Sequence, residues 1–154
     1  MLNKKRKGIS PVIATVILIA IAVAIAIAVA FWAAGLTGAF TRFEKLEITS
    51  AYATKYLDGD TPEVNITLNV KNTGSTPATI TDVFINGVPY DQYQTGVSCT
   101  VNGTGFTSSV TVDTGHSAKI TLTADSSVFM SGVTYDIKVH TASGTDYPKA
   151  VVVP

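Results

Sequence analysis

Apolar and polar positions divide this chain into two parts with different patterns. Every residue from Gly8 to Thr41 is uncharged, and positions 21–30 read IAVAIAIAVA, with branched apolar residues alternating with alanine. Alternation at period two is typical of a half-buried strand. In lipid, however, a lone strand would leave its backbone groups unpaired at several kcal/mol each, so this membrane-length run is predicted to be a helix.

On a helical wheel of about 100° per residue the alanines fall into two rows on roughly opposite sides. The first row contains Ala20, Ala24 and Ala28, and the second contains Ala22, Ala26 and Ala30. Rows of small residues let neighbouring helices approach closely, which predicts a helix that packs among several others. The alternative stays open that isoleucine, valine and alanine are simply apolar residues that suit lipid.

The two ends of the run predict how it begins and which way it crosses a membrane. A basic cluster, Lys4, Lys5, Arg6 and Lys7, precedes it and predicts a cytoplasmic N-terminus with the C-terminal part outside. Ser10 is the predicted N-cap and Pro11 the first helical residue. The run exceeds the apolar region of an ordinary secretory signal, about 7 to 15 residues. Small residues near its end nevertheless keep that alternative open.

Beyond the run, alternating stretches separated by turn signals predict a sandwich of seven to nine short antiparallel strands, of the immunoglobulin-like kind. The stretches are LEITSAYATKYL, VNITLNV, TITDVFI, VPY, VSCTV, FTSSVTV, AKITLTA, VTYDIKV and PKAVVV. Asn86-Gly87 is a strong hairpin signal. The fold class is therefore α+β, with a leader at 1–8, a hydrophobic helix at 9–43 and a β-sandwich at 44–154. Gly35 and Gly38 favour either a bend or close helix packing.

Few residues of the C-terminal part suit catalysis or metal binding. His116 and His140 lie outside any metal-ligand spacing, and Asp58-Gly59-Asp60 favours a turn over a calcium site. The single cysteine, Cys99, has no internal disulfide partner and is expected to be a buried thiol. After Gly8 the chain carries seven Lys and Arg against eleven Asp and Glu, without a basic patch for nucleic acid. We therefore expect no enzymatic activity, no cofactor, no metal and no nucleic-acid partner.

Two further features fit an extracellular domain. Asn65-Ile66-Thr67 and Asn102-Gly103-Thr104 match the acceptor pattern for N-linked glycans, so Asn65 and Asn102 are candidate glycosylation sites. Six tyrosines are candidates for an adhesive or carbohydrate-binding surface, although tyrosine is also an ordinary strand residue. They are Tyr52, Tyr56, Tyr90, Tyr93, Tyr135 and Tyr147.

The stretch KKRKGISPVIATVILIAIAVA resembles the N-terminus of archaeal type IV pilins, whose class III signal peptides are cut by a prepilin peptidase. The resemblance covers about the first 35 residues. It implies recognition of the basic cluster, cleavage between Gly8 and Ile9, and an apolar helix that forms a filament core. Ile13 stands where bacterial pilins usually carry a glutamate, which favours the archaeal branch. Archaellins resemble this segment less well, because their start usually lacks Ser-Pro.

The resemblance implies a structural subunit of an extracellular filament with a role in adhesion. Its implied partners are further copies of the chain in a helical homopolymer, the prepilin peptidase, an assembly ATPase and a membrane platform protein. Before assembly the subunit would lie in the cytoplasmic membrane. Two alternatives stay open: a monomeric cell-surface binding domain held by a single transmembrane anchor, and a minor pilin-like component of a secretion or uptake machine.

Overall fold

The computed structural model describes residues 10–59, 61–94 and 96–154, apart from the side chain of Ala39. The chain divides into two compact units, Met1–Thr41 and Arg42–Pro154. Lys4, Lys5, Arg6 and Lys7, and the predicted cleavage point between Gly8 and Ile9, lie outside the described residues and stay predictions.

The first unit contains one continuous helix, α1, which spans Pro11–Phe40. The prediction of a helix rather than a strand is confirmed, and Pro11 occupies the first helical position. Ser10 occupies the N-cap position as predicted, but its side chain does not cap the helix. Within the described residues its hydroxyl makes no capping hydrogen bond; instead its backbone carbonyl accepts from the Ala14 N–H at 3.1 Å. The exposed hydroxyl has water as a competing partner.

The helix ends at Phe40, three residues before the predicted end at residue 43. The N–H of Thr41, the C-cap, donates to the Thr37 carbonyl at 3.2 Å. Phe43 and Lys45 already belong to the second unit, where they form hydrogen bonds with the loop at residues 73–75. The helix ends early because residues 43–45 bond to this loop.

The second unit consists of two antiparallel sheets. Its described residues form ten strands: β1 Leu46–Asp58, β2 Thr61–Asn72, β3 Ala78–Ile85, β4 Val88–Pro89, β5 Ser98–Val101, β6 Thr104–Gly105, β7 Val110–Val112, β8 Ser117–Asp125, β9 Thr134–Thr141 and β10 Asp146–Val152. The first sheet has the order β1-β2-β8-β5-β6. The second has the order β10-β9-β3-β4, and β7 also pairs with β3. A long apolar helix followed by two antiparallel sheets confirms the α+β class.

The strand order corresponds to a known sandwich arrangement. Immunoglobulin constant-type domains place strands A, B, E and D on one sheet and C, F and G on the other. Here β1, β2, β8 and β5 take the first four places, and β3, β9 and β10 take the other three. Those domains also have a tyrosine near the start of strand F whose hydroxyl bonds to the backbone a few residues upstream. Tyr135, the second residue of β9, makes a bond of this kind, since its hydroxyl donates to the Val128 carbonyl at 2.9 Å.

Alternation along the strands builds one core between the sheets. On β2, Val64, Ile66, Leu68 and Val70 are fully buried, while the residues between them belong to the opposite face. Strands β3, β8 and β9 add inward side chains to the same cluster. These are Ile80, Val83 and Ile85, then Ile120 and Leu122, then Ile137 and Val139. Period-two patterning thus places the core as the sequence predicts.

Three local predictions have different outcomes in the structure. Asn86 and Gly87 form the expected turn, with φ of 50° and 84°, the left-handed values that a type I′ hairpin requires. The stretch VPY is not entirely strand, because Tyr90–Tyr93 forms a short helix, α2. In FTSSVTV only Val110–Val112 is strand. Phe106 instead fills the core, where its ring meets that of Tyr90 edge-on at 5.9 Å.

Candidate functional site

The candidate site is α1 itself, since it is apolar on every side and exposed. Within its segment Pro11–Gly38 an 18-residue stretch reaches a mean hydropathy of 3.2, and none of that stretch is buried. Among its large apolar side chains the exposed fraction runs from 41% at Leu36 to 79% at Phe40. Thirty residues give a helix about 45 Å long. Such a surface is stable in lipid or against other apolar helices, and not in water.

The polar side chains of α1 are bonded to its own backbone. Thr15 Oγ1 donates to the Val12 carbonyl at 2.9 Å, and Thr37 Oγ1 donates to the Ala33 carbonyl at 3.0 Å. Bonding of this kind removes the need for an outside partner. These two hydroxyls therefore add little to the cost of placing the helix in lipid or in a helix bundle.

The two alanine rows lie on one uninterrupted helix. All six alanines are exposed along α1. The helix also continues through Gly35 and Gly38, where an added Cβ would meet no described atom within 4 Å. Grooves at these positions are available to a partner outside the chain, which is the geometry that helix–helix packing requires.

The segment entering the β-sandwich is held by a glycine loop. Phe43 and Ser75 exchange hydrogen bonds: the Phe43 N–H donates to Ser75 Oγ and the Ser75 N–H donates to the Phe43 carbonyl, both at 3.0 Å. A Cβ on Gly74 would lie 2.6 Å from Lys45 N and 2.6 Å from the Phe43 carbonyl oxygen. Only glycine allows this approach, and no local pattern in the sequence around residue 74 indicates it.

The side chain of Asn72 holds the loop at residues 73–75 in place. Its side chain is fully buried, and its amide donates to the carbonyls of Thr76 and Val112, at 2.9 Å each. Its Oδ1 accepts from the Gly74 N–H at 2.9 Å. A buried amide with every contact satisfied favours one loop conformation over others. Residues 43–45 therefore start the domain as a fixed part of it.

Among the described residues, the ionisable groups of the domain form no cluster placed to hold a metal. No three His, Cys, Asp or Glu side chains there are placed to hold a metal. His140 Nδ1 lies 2.6 Å from Asp146 Oδ1, and Lys138 Nζ lies 3.0 Å from Asp146 Oδ2. Bonding to His140, with a smaller effect of Lys138, lowers the pKa of Asp146. Asp146 thus forms two ion pairs at the surface of the second sheet, one with Lys138 and one with His140.

Several other sequence candidates have ordinary structural positions. His116 closes a turn, its N–H donating to the Asp113 carbonyl at 3.0 Å. Asp58 and Thr61 pair across the β1–β2 hairpin, which confirms a turn there, and Asp60 lies outside the described residues. Cys99 is buried as expected, and burial raises its pKa to about 12.

The six tyrosines are dispersed rather than gathered into one surface. Tyr135 is buried, and the Tyr90 hydroxyl donates to the Phe106 carbonyl at 2.7 Å. Tyr93 and Tyr147 are half-buried against the core. Tyr52 and Tyr56 are exposed on β1.

The two glycosylation candidates differ in accessibility. Asn65 lies in β2 between β1 and β8, and its Oδ1 accepts from Thr123 Oγ1 at 2.5 Å. Asn102 lies exposed in the β5–β6 turn with a φ of 52°. Its Oδ1 accepts from the Lys119 N–H at 2.8 Å. An exposed turn is the usual setting for a glycan acceptor, so the geometry favours Asn102.

Comparison with known proteins gave remote likenesses. No protein-family model matches the chain. No curated protein matches it either. A crystal structure of a protein from Archaeoglobus fulgidus is similar at 15% identity and a TM-score of 0.38, covering 68% of this chain and 94% of its own. The Iho670 flagellar-like filament is similar at 15% identity and a TM-score of 0.34, covering 94% of this chain and 98% of its own. Because both TM-scores are low, the functional proposal depends on this chain's own helix and domain.

Proposed function

We propose that this chain is the structural subunit of an extracellular filament of the archaeal type IV pilus kind, which polymerises through α1. One observation carries the proposal. A helix of 30 residues is apolar on every side, exposed along its length, and bonds its own threonine hydroxyls. A surface of this kind needs a large apolar partner, and neighbouring copies of the same helix supply one.

The physical mechanism is an exchange of apolar surroundings. Before assembly α1 is solvated by lipid, with the β-sandwich outside the cell. During assembly it leaves the bilayer and exchanges lipid for neighbouring helices. Since both surroundings are apolar, the step exposes little apolar surface to water. Close packing at the alanine rows supplies the preference for the filament.

Maturation follows from the resemblance at the N-terminus. Cleavage between Gly8 and Ile9 by a prepilin peptidase removes the basic leader, and an assembly ATPase and a membrane platform protein then drive polymerisation. In the finished filament the β-sandwich is exposed and mediates adhesion. The Gly74 loop supports this role, because it fixes the segment through which the domain is attached.

A single-anchor surface domain is the second candidate. Its support is the length and composition of Pro11–Gly38, which suit one membrane crossing. A lone anchor needs apolar side chains of any shape, whereas a filament core needs the small residues of the grooves. Side-chain volume in the alanine rows therefore separates the two candidates.

The test replaces two groove residues by leucine. In source cells lacking the wild-type gene we expect Ala24→Leu with Ala28→Leu to insert normally in the membrane. Filament yield should fall, because a loss of about 1.4 kcal/mol at a helix–helix contact weakens that contact about tenfold. Yield is measured as protein in sheared, sedimented surface material, and insertion as protein in the membrane fraction.

The matched control lies on an adjacent row of α1. Ile25→Leu with Val29→Leu changes branched residues that are already large, and it should leave filament yield near that of the wild type. Full filament yield from the alanine variant would contradict the groove mechanism. Absence of the wild-type chain from sheared filaments, with all of it in the membrane, would favour the anchored domain.

A further inference from the structure

The outer face of the first sheet carries opposite charges at its two ends. Glu63 on β2 and Asp125 on β8 pair in one row and make one end acidic. Near the other end, Lys119 on β8 pairs with Asn69, and Lys71 on β2 lies one row further along. Lys71, Lys119 and Asp125 are exposed, and Glu63 is half-buried. The charge on this face therefore changes sign along the strands.

Two further acids lie on β1 at the edge of this face. Glu47 pairs with Lys71 at the basic end, and Asp58 is the last residue of β1 at the acidic end. Among the described residues of the face, the basic end thus has two lysines and one glutamate, and the acidic end has three carboxylates. The difference in charge between the two ends remains.

Uncharged side chains separate the two ends. Glu63 and Lys71 lie on opposite sides of Thr67, each four residues away along β2. At about 3.3 Å per residue these two charges are about 26 Å apart. The row midway between them runs across β1, β2, β8 and β5 and consists of Tyr52, Thr67, Thr121 and Thr100. Within this central row Thr67 is buried, whereas Tyr52 is 45% exposed.

The sign change makes the face complementary to a second copy of itself in one orientation. A two-fold axis along the central row turns the strands of the two copies antiparallel and places Lys71 over Glu63 of the second copy. Facing sheets pack about 10 Å apart, a distance that a lysine and a glutamate side chain together span. The symmetry forms this pair twice. Tyr52 lies on the same row, so its ring meets Tyr52 of the second copy.

Parallel stacking of the two copies is disfavoured by the same charges. It would place the acidic end over the acidic end and the basic end over the basic end, and facing like charges repel. Charge complementarity across an interface fixes its orientation in this way. The antiparallel arrangement is therefore the one that the face selects.

We propose that this charge-gradient face, the outer face of the first sheet, binds the same face of a second copy with antiparallel strands. Four strands and 26 Å of length give a contact of about 360 Å² per copy, below the ~800 Å² per partner of a standard complex. One contact is therefore weak, and many contacts acting together are needed to hold two surfaces.

The symmetry of the contact determines what it joins. Subunits along a helical filament meet head to tail through two different surfaces, whereas a two-fold contact uses the same surface on both copies. The charge-gradient face thus joins subunits of separate filaments, or of separate membranes before assembly. This inference goes beyond the proposed function, which needs only α1.

The test uses the full chain in vesicles of phosphatidylcholine, and association of the vesicles is followed by light scattering. We expect wild-type vesicles to associate at about 10 mM salt and to separate at about 1 M. The reason is that the Debye length falls from about 30 Å to about 3 Å between these salt concentrations. Vesicles without protein give the baseline.

Exchanging the charges provides the decisive comparison. Glu63→Lys alone and Lys71→Glu alone should each reduce scattering at low salt to the baseline, because each places like charges opposite one another. A mixture of vesicles carrying the two variants should associate as the wild type does, because the two introduced charges then face each other. Recovery in the mixture also shows that both variants are folded.

The matched control is Asp136→Lys, on the outer face of the second sheet. Asp136 is exposed on β9, and its replacement changes the net charge by the same amount as Glu63→Lys. It should leave association unchanged, and melting temperatures should show that the variants fold. If Glu63→Lys does not fold, Lys71→Glu is compared with Lys149→Glu, a lysine exposed on β10.

Four outcomes would overturn the proposal. They are no association of wild-type vesicles at low salt, association that persists at about 1 M salt, equal loss in the Asp136→Lys control, and no recovery when two folded charge variants are mixed. Because vesicles hold unpolymerised subunits, failure of the filament proposal would not affect these results.

Discussion

At the scale of single residues, Gly74 is the position where a side chain is least tolerable. A Cβ there would lie 2.6 Å from two backbone atoms, which cannot move aside without displacing residues 43–45. We expect Gly74→Ala to lower the free energy of unfolding by about 1–3 kcal/mol, the usual cost of overpacking. Denaturant unfolding of the full chain in vesicles, followed by the β-sheet signal, measures the change.

The matched control for Gly74 is Gly105. An added Cβ at Gly105 would meet no described atom within 4 Å, and its φ is not positive. Gly105→Ala should therefore change stability by no more than a few tenths of a kcal/mol. Equal stabilities for the two variants would show that residues 43–45 are not fixed by close approach to the loop.

Cys99 makes a pH-dependent contribution to stability. Burial, with a smaller effect of Asp82, raises its pKa to about 12, whereas an unfolded thiol ionises near pH 8.5. Above about pH 8.5 the unfolded state loses a proton that the folded state keeps, so stability should fall as pH rises toward 12.

Replacement of Cys99 by alanine should remove this contribution to the alkaline slope, although the cavity also lowers stability by a constant amount. The measurement is the free energy of unfolding against pH for both proteins. Identical slopes above pH 8.5 would contradict the assigned pKa. Folded wild-type chain should also react slowly with thiol reagents at pH 8.

At the scale of elements, the corner between β8 and β9 depends on one hydroxyl. The Tyr135 hydroxyl donates to the Val128 carbonyl and accepts from the Met130 N–H, each at 2.9 Å. We expect Tyr135→Phe to destabilise the domain by about 1–3 kcal/mol, because it leaves a buried carbonyl without a donor. Thermal or denaturant unfolding tests this.

Tyr147→Phe serves as the comparison for that substitution. Tyr147 lies on β10 and is half-buried, and no hydrogen bond from its hydroxyl occurs among the described residues. The comparison variant should unfold close to the wild type. A Tyr135→Phe protein as stable as Tyr147→Phe would show that the corner is held by ring packing alone.

Prediction from sequence succeeded where a pattern has one physical cause. Strands β2, β8 and β9 alternate because one face of each is buried, and Asn86-Gly87 turns because both residues accept left-handed φ. Failures occurred where tertiary contacts decide. Tyr90 leaves the predicted strand, and Phe106 fills the core. The Tyr90 hydroxyl donates to the Phe106 carbonyl, and the two rings pack edge-on. A local sequence pattern does not reveal such a contact.

The site was predictable in part for the same reason. Uninterrupted hydropathy indicated the helix and alanine spacing indicated its rows, because both depend on sequence-local geometry. Its end at Phe40 was not predictable, since it depends on bonds from Phe43 and Lys45 to a loop about 30 residues later.

At the scale of the whole molecule, the chain combines an exposed apolar helix with a domain that has its own core. The surface of the first unit suits lipid or neighbouring apolar helices, whereas the surface of the second unit suits water. The proposed polymerisation through α1 would meet both requirements at once and would leave the domain exposed to solvent.

The most direct test of polymerisation is the N-terminus of this protein in sheared surface material from the native cells. The material is sedimented, inspected for filaments by electron microscopy, and analysed by mass spectrometry. We expect filaments whose subunit begins at Ile9. A protein that keeps Lys4, Lys5, Arg6 and Lys7 and remains with the membranes would contradict it.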